Sequence, residues 1–279
     1  MPLILLNRAF MKLPLQNYIE SSRAKHRKLL ALFLTAGFPQ SEATLPLLKL
    51  LDEAGADIIE LGMPFSDPLA DGPTIQRSSQ TALQNGVTAK KVLAMAAAAK
   101  SQLRAPLILM GYYNPMLQFG PEEFVQAAAK AGVQGLIIPD LPPEESLPLR
   151  EFACTLGISL IYLVSPNTST KRLALIDELT TSFIYAVSIL GVTGAREKVA
   201  TQAGPFLERL RQQARHPVLV GFGVANAADA HHLAAFCDGI IVGSALLHQI
   251  EKYWPNTERI SDFVAALRRG LDERRETHI

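Results

Sequence analysis

Charge of either sign is not in surplus here: Lys+Arg total 27 and Asp+Glu 26, a net +1. Surfaces that grip nucleic acid or anionic lipid carry a clear cationic excess, so neither a nucleic acid nor a membrane is an expected partner. Long apolar runs are missing too; none approaches the ~18 residues that suggest a spanning segment. Only two cysteines occur, Cys154 and Cys237, far apart and set among Ala, Phe and Leu in predicted helix ends. That spacing excludes a disulfide framework or zinc site and predicts two buried, reduced thiols. No Gly-x-Gly-x-x-Gly follows the first predicted strand, and no Gly-x-Ser-x-Gly elbow appears, which argues against dinucleotide binding and serine hydrolysis. No lysine falls at a strand end, where a Schiff-base aldolase would need one. No His/Asp/Glu cluster suits a catalytic metal, and His231-His232 are adjacent and so do not share one helix face. Residues 1–6 are apolar, but no basic residue precedes them and the run breaks at Asn7-Arg8. A secretory signal needs a basic start and a longer apolar core, so a cytoplasmic location is expected, or the plastid stroma for an organellar source. Met11 is an alternative start.

Apolar content, by contrast, is ample, with hydrophobic residues at 48% and charged residues at 19%. Short β-branched runs at 29–34, 57–61, 106–110, 135–138, 159–164, 183–187, 218–221 and 239–242 predict eight strands. They are continuously apolar, as strands covered on both faces are. Amphipathic stretches at 42–54, 90–102, 121–131, 144–156, 172–179, 203–215 and 227–236 separate them, and 245–252 and 260–274 follow. Ser41, Thr88, Pro121 and Thr170 suit helix starts. Eight strand-then-helix units predict an α/β fold, a single-domain (β/α)8 TIM barrel over 29–279 with C-terminal helices. Residues 1–28 form an N-terminal extension or helix.

Chemistry in such a barrel sits at the C-terminal ends of the strands. Residues 60–76 read Glu-Leu-Gly-Met-Pro-Phe-Ser-Asp-Pro-Leu-Ala-Asp-Gly-Pro-Thr-Ile-Gln. An apolar run delivers Glu60 at a strand end, and a loop of prolines and glycines presents Asp71. Two carboxylates so placed can do acid–base work on one small molecule. Gly221-Phe222-Gly223 and Gly243-Ser244 follow strands seven and eight, where this fold commonly binds phosphate. Glycine lets backbone approach an anion, helix N–H groups point at it, and Ser244 adds a hydroxyl. Tight turns alone would also use these glycines. The 191–196 loop, with glycines around Thr193, suits either a closing lid or an ordinary mobile loop. Phe33, Tyr112, Tyr185 and Phe222 lie in or near strand ends, placed for core packing or for gripping a flat ring. A phosphate anchor, aromatic walls and two carboxylates favour proton transfer on a phosphorylated molecule whose own ring stores the electrons.

From Leu34-Thr35-Ala36-Gly37 to Gly243-Ser244 the chain resembles the tryptophan synthase α subunit family. The matching pieces, in family order, are 60–76, 110–115, 138–142, Tyr185 with 191–196, 221–224 and Gly243-Ser244. The resemblance implies retro-aldol cleavage of indole-3-glycerol phosphate to indole and glyceraldehyde 3-phosphate, in the last steps of tryptophan biosynthesis. It implies Glu60 as the proton donor and acceptor, and Asp71 facing the indole N–H. Tyr185 would hold the glutamate region, and Thr193 would hydrogen-bond Asp71 on lid closure. Phe33, Tyr112 and Phe222 would line the indole pocket. Gly194, Gly223, Gly243 and Ser244 would bind phosphate. It further implies a β-subunit partner in an α2β2 assembly, met through Asp67, Pro68, Asn114 and Pro142. No metal and no cofactor are implied in this chain; pyridoxal phosphate belongs to the β subunit. Two departures stand out: Ile189-Leu190 replaces a small or basic residue and a hydroxyl residue before the lid, and 165–168 reads Ser-Pro-Asn-Thr. Three other readings are a free-standing lyase that needs no β subunit, a catalytically idle regulatory subunit, and a sugar-phosphate isomerase. Intact Glu60, Asp71 and Thr193 oppose the idle subunit, and the 60–76 match opposes the isomerase.

Overall fold

The structure, a computed structural model, describes residues 12–187, 196–221 and 223–273, with backbone alone over 196–203. Eight strands form in the expected places: β1 Leu29–Thr35, β2 Ile58–Gly62, β3 Leu107–Met110, β4 Gly135–Ile137, β5 Ser159–Val164, β6 Ile184–Val187, β7 Val218–Gly221 and β8 Gly239–Val242. All pair in parallel with their sequence neighbours, and β8 returns to β1, closing a barrel. Side chains alternate along each strand. Leu29, Ala31, Ile58, Ile108, Ile137 and Ile161 fill the interior, while Leu30, Leu32 and Leu34 of β1 join the layer beneath the helices.

The N-terminal helix α1 (Pro14–Ala24) is part of this core. Pro14 starts it with the backbone angle a first turn needs. Leu15 and Ile19, four apart and so on one face, are fully buried against the interior residues. A Cβ at Gly135, the first residue of β4, would lie 3.0 Å from Leu15 Cδ2. Helix α1 therefore forms a tight floor at the N-terminal end of the barrel.

The remaining helices are α2 (Thr44–Glu53), after a 3-10 turn at Ser41–Ala43, then α3 (Pro73–Gln84), α4 (Ala89–Ala99), α5 (Tyr113–Phe119), α6 (Pro121–Lys130), α7 (Leu147–Thr155), α8 (Thr170–Leu179), α9 (Arg196–Gln213), α10 (Ala227–Ala234), α11 (Ser244–Tyr253) and α12 (Thr257–Asp272). The sequence reading misses α3 and α5. The buried face of α3 is Ser78, Ser79 and Ala82, too small and polar to show an apolar period. Helix α5 has seven residues and buries Met116 alone. Helix α9 starts seven residues before the expected 203. Thr88 caps α4 as expected, but Ser169, not Thr170, caps α8 by accepting Arg172 N–H at 3.2 Å. Ser41 caps nothing, and its hydroxyl has no hydrogen-bond partner among the described residues. Cys154 is half-buried rather than buried. Cys237 is buried, its thiol pushed up to about 12 by burial, and its Sγ–H points at Leu233 O, 3.1 Å away.

Strand β2 begins one residue later than expected; the Asp57 N–H still donates to Leu30 O at 2.8 Å, and its side chain adds bonds of its own. Its Oδ2 accepts Leu30 N–H at 2.9 Å and Arg268 Nη1 at 2.6 Å, and its Oδ1 accepts Arg27 Nε at 2.8 Å. This buried carboxylate ties β1, β2 and α12 together. Removing one partner of such a network leaves the others' charge uncompensated. Asp57→Ala is expected to cost about 3–5 kcal/mol in urea unfolding. A loss below about 1 kcal/mol would show the two arginines satisfied by solvent.

Candidate active site

Strand β2 runs on through Gly62, so Glu60 stands mid-strand and not at the strand end the sequence suggested. It pairs in register with Phe33 on one side and Ile108 on the other. Two residues on from the interior Ile58, it points into the barrel. Glu60 is fully buried, and neither carboxylate oxygen has a hydrogen-bond partner among the described residues. Burial, helped by the nearby Asp71 charge, pushes its carboxyl up to about 8. At neutral pH it keeps its proton and is poised to give it away.

Asp71 lies on the β2–α3 loop. Its N–H donates to Pro68 O at 3.0 Å, and its carbonyl accepts Gln76 Nε2 at 2.8 Å, so its backbone is held on both sides. Burial raises its carboxyl to about 6, opposed by the neighbouring Tyr112 hydroxyl. At pH 7 Asp71 is mostly charged while Glu60 is mostly neutral. Two carboxyls driven apart in this way make one acid and one fixed anion.

Tyr112 immediately precedes α5 and is buried. Its Oη accepts the Ala70 N–H at 2.9 Å, and its ring lies 5.2 Å from that of Phe65, tilted by 30°. Burial and the Asp71 charge hold its hydroxyl protonated. Asp140, exposed on the loop after β4, accepts Tyr113 N–H at 2.8 Å and so fixes the start of α5. Tyr185 of β6 rests on β7: a Cβ at Gly221 would lie 2.7 Å from its Cε2. Burial first, then the charges of Glu60 and Asp71, keep this phenol neutral. Phe33 is buried over Gly62, where an added Cβ would strike its ring, and it borders Gly243. These glycines make room for aromatic rings beside the carboxylates.

Gly223 is exposed at φ +48°, and nothing lies within 4 Å of where its Cβ would be. Gly243 precedes α11, which opens at the exposed Ser244 without a side-chain cap. The first N–H groups of α11 are thus left for an anion. Helix α10 differs: Asn226 accepts Asp229 N–H at 3.0 Å, and Asp229 accepts Ala225 N–H at 2.9 Å. Of the two glycine turns, the one leading into α11 presents the freer helix start. Thr193, Gly194 and Phe222 lie outside the described residues, as do Ile189 and Leu190. Among the described residues no group of three or more His, Cys, Asp or Glu could hold a metal ion, and no helix is long and apolar enough to cross a membrane.

On the same face, Asp67 and Asn114 are exposed and Pro68 and Pro142 half-buried. Beside them Leu69 is 94% exposed on the β2–α3 loop, Leu117 56% on α5 and Leu147 40% at the start of α7. Three large apolar side chains thus stand exposed on the connections that follow β2, β3 and β4. The sequence reading did not single out Phe65, Leu69 or Gln76, although all three lie within its most informative segment.

Residues 19–275 match the family described as tryptophan synthase alpha chain. The tryptophan synthase alpha chain of Dehalococcoides mccartyi is 45% identical over 252 residues, covering 90% of this chain and 98% of that one. The crystal structure of tryptophan synthase subunit alpha from Legionella pneumophila superposes with a TM-score of 0.84 at 35% identity, over 93% of this chain and 98% of that one. A chain in a structure of Mycobacterium tuberculosis tryptophan synthase gives 0.85 at 35% identity, over 94% and 100%.

Proposed function

The chain belongs to the tryptophan synthase alpha chain family, and from this and the site geometry we propose that it cleaves indole-3-glycerol phosphate by a retro-aldol reaction. The observation that carries the proposal is the pair of opposed carboxyls: a buried, protonated Glu60 and a charged Asp71 on the adjoining loop. Glu60 gives its proton to indole C3, which turns the ring into an iminium. Asp71 accepts a hydrogen bond from the ring N–H and stabilises the positive charge as it forms. Glu60, now an anion in an apolar setting, takes the proton of the glycerol hydroxyl next to the ring. The carbon–carbon bond breaks, its electrons restore the indole, and the aldehyde of glyceraldehyde 3-phosphate forms. The proton count closes, so Glu60 ends as it began.

Tyr185 keeps a neutral hydroxyl beside the glutamate. Phe33 and Tyr112, with Phe222, enclose the indole. Gly223, Gly243 and Ser244, with Gly194, receive the phosphate at the start of α11, and Thr193 meets Asp71 when the 191–196 loop closes. No cofactor takes part on this chain. A pyridoxal-phosphate β subunit consumes the indole and docks on the face that carries Asp67, Pro68, Asn114 and Pro142. Leu69 and Leu117 supply the apolar contact on that face, in an α2β2 assembly.

The test is indole release from indole-3-glycerol phosphate by the purified chain, with and without β subunit. Slow release that rises sharply with saturating β is expected. Fast release indifferent to β would make this a free-standing lyase. No release in either condition would remove the proposed reaction.

A further inference from the structure

The aromatic ring of Tyr112 serves the proposed pocket as a wall, but its hydroxyl is turned elsewhere. Two contacts and one neighbouring charge converge on this side chain from one loop. The Phe65 ring packs on it at 5.2 Å near the loop's beginning. Ala70 N–H donates to its Oη at 2.9 Å near the loop's end. The Asp71 carboxylate lies near enough for its charge to act on this hydroxyl. A hydroxyl accepts and donates at once. With a backbone N–H filling one lone pair, its own proton is left to donate, and the Asp71 carboxylate is the acceptor next along the loop. The loop between is poor in ladder bonds and rests on tight turns, Leu69 N–H to Asp67 O at 2.9 Å and Asp71 N–H to Pro68 O at 3.0 Å. Its apolar tip, Leu69, stands in solvent. Such a loop needs a post, and Tyr112, set just before the anchored start of α5, provides one.

We propose that Tyr112 is a positioning residue: its hydroxyl latches the 65–71 loop and fixes the direction of the Asp71 carboxylate, a role separate from its ring's. The inference rests on the reading of Asp71 as the anion that faces the substrate's ring N–H. Other groups that face this carboxylate electrostatically are Glu60 from β2 and Tyr185 from β6, while Asp140 acts on Tyr112 from the loop after β4. None of these holds the loop backbone. The latch also places Leu69 two residues from the carboxylate, so pressure on the exposed leucine reaches Asp71 through Ala70, the residue the hydroxyl grips.

Tyr112→Phe tests this, because it keeps the ring and removes one oxygen. The variant should unfold at nearly the wild-type temperature and keep KM within about twofold, since the wall remains. Its kcat should fall by about ten- to a hundredfold, the worth of one hydrogen bond to a charged group. The acid limb of its rate profile should move to higher pH, because the carboxylate has lost a donor that favours its charged form. In an Asp71→Asn background the same substitution should cost much less, since the latch acts through Asp71. A raised KM at unchanged kcat would reduce Tyr112 to a wall and overturn the latch. So would an equal cost in both backgrounds. A carbon-13 NMR titration of the Asp71 carboxyl in the full chain separates the two ideas. If wild type releases no indole, the proposed reaction fails, while an upward shift of Asp71 in Tyr112→Phe still supports the latch. An unshifted carboxyl overturns it.

Discussion

Glu60→Gln is expected to lower kcat by about 10²–10⁴, the usual worth of a positioned acid–base group, while leaving KM and the fold nearly unchanged. Glutamine has the shape and neutrality of the protonated glutamic acid that burial enforces, so the interior of β2 need not repack. It cannot deliver a proton to carbon. The same assay checks the wild-type pH profile. Asp71, raised to about 6, must lose its proton and Glu60, raised to about 8, must keep its own, so the rate should peak near pH 7 and fall on both sides. Stability should move too. An unfolded glutamate ionises near ~4.3, well below the folded value, so the folded state binds more protons between those limits. The contribution of the neutral carboxyl is whole below that range and is lost as pH rises through about 8. Glu60→Gln should therefore gain on wild type in denaturant midpoint as pH climbs from 4 to 8. Near-normal turnover in this variant would sink the assignment of Glu60 as the proton donor.

Asp71→Asn is the second large effect. It removes the only charge proposed to match the iminium, and an expected loss of about 10²–10³ in kcat follows from removing one preorganised electrostatic partner. Asparagine keeps the loop turn, since the bonds that hold Asp71, from its N–H to Pro68 and from Gln76 to its carbonyl, are backbone bonds on the Asp71 side. A second readout distinguishes charge from shape. Burial dominates the raised Glu60 value, but the Asp71 charge adds to it. Without that charge Glu60 should release its proton at lower pH, and the alkaline limb should move down. Retained turnover with an unmoved limb would reassign Asp71 to holding the loop.

The barrel was readable in the sequence because its cause is a simple pattern, eight apolar runs covered on both faces. What escaped were a helix too short to show a period, α5, and features whose burial rests on polar side chains. Helix α3 hides Ser78 and Ser79, and Thr35 of β1 meets Ser78 at 2.6 Å, so a hydroxyl pair does the packing that leucine does elsewhere. Asp57 looked like the first residue of a strand and is instead a three-way anchor, which a run of neighbouring isoleucines cannot reveal. At the site, residue identity pointed to Glu60 and Asp71, but the split of their proton affinities depends on burial and on Tyr112, a residue 41 positions beyond Asp71. The free start of α11 and the self-capped start of α10 differ only through Asn226 and Asp229, side chains that a glycine count overlooks.

Leu15 and Ile19 of α1, wedged against Gly135 and the interior isoleucines, have one more bearing on the proposed reaction. They close the N-terminal end of the barrel, so the proposed site opens on the face where the strands end. Two products of different character, a flat oily ring and a charged sugar phosphate, must then leave on the side by which their parent came. In the proposed placement the ring lies among the buried Phe33 and Tyr112 and the phosphate at the exposed Gly223 and Ser244, so the phosphate's departure would clear the way for the ring unless a partner seated on that face offers the ring another exit.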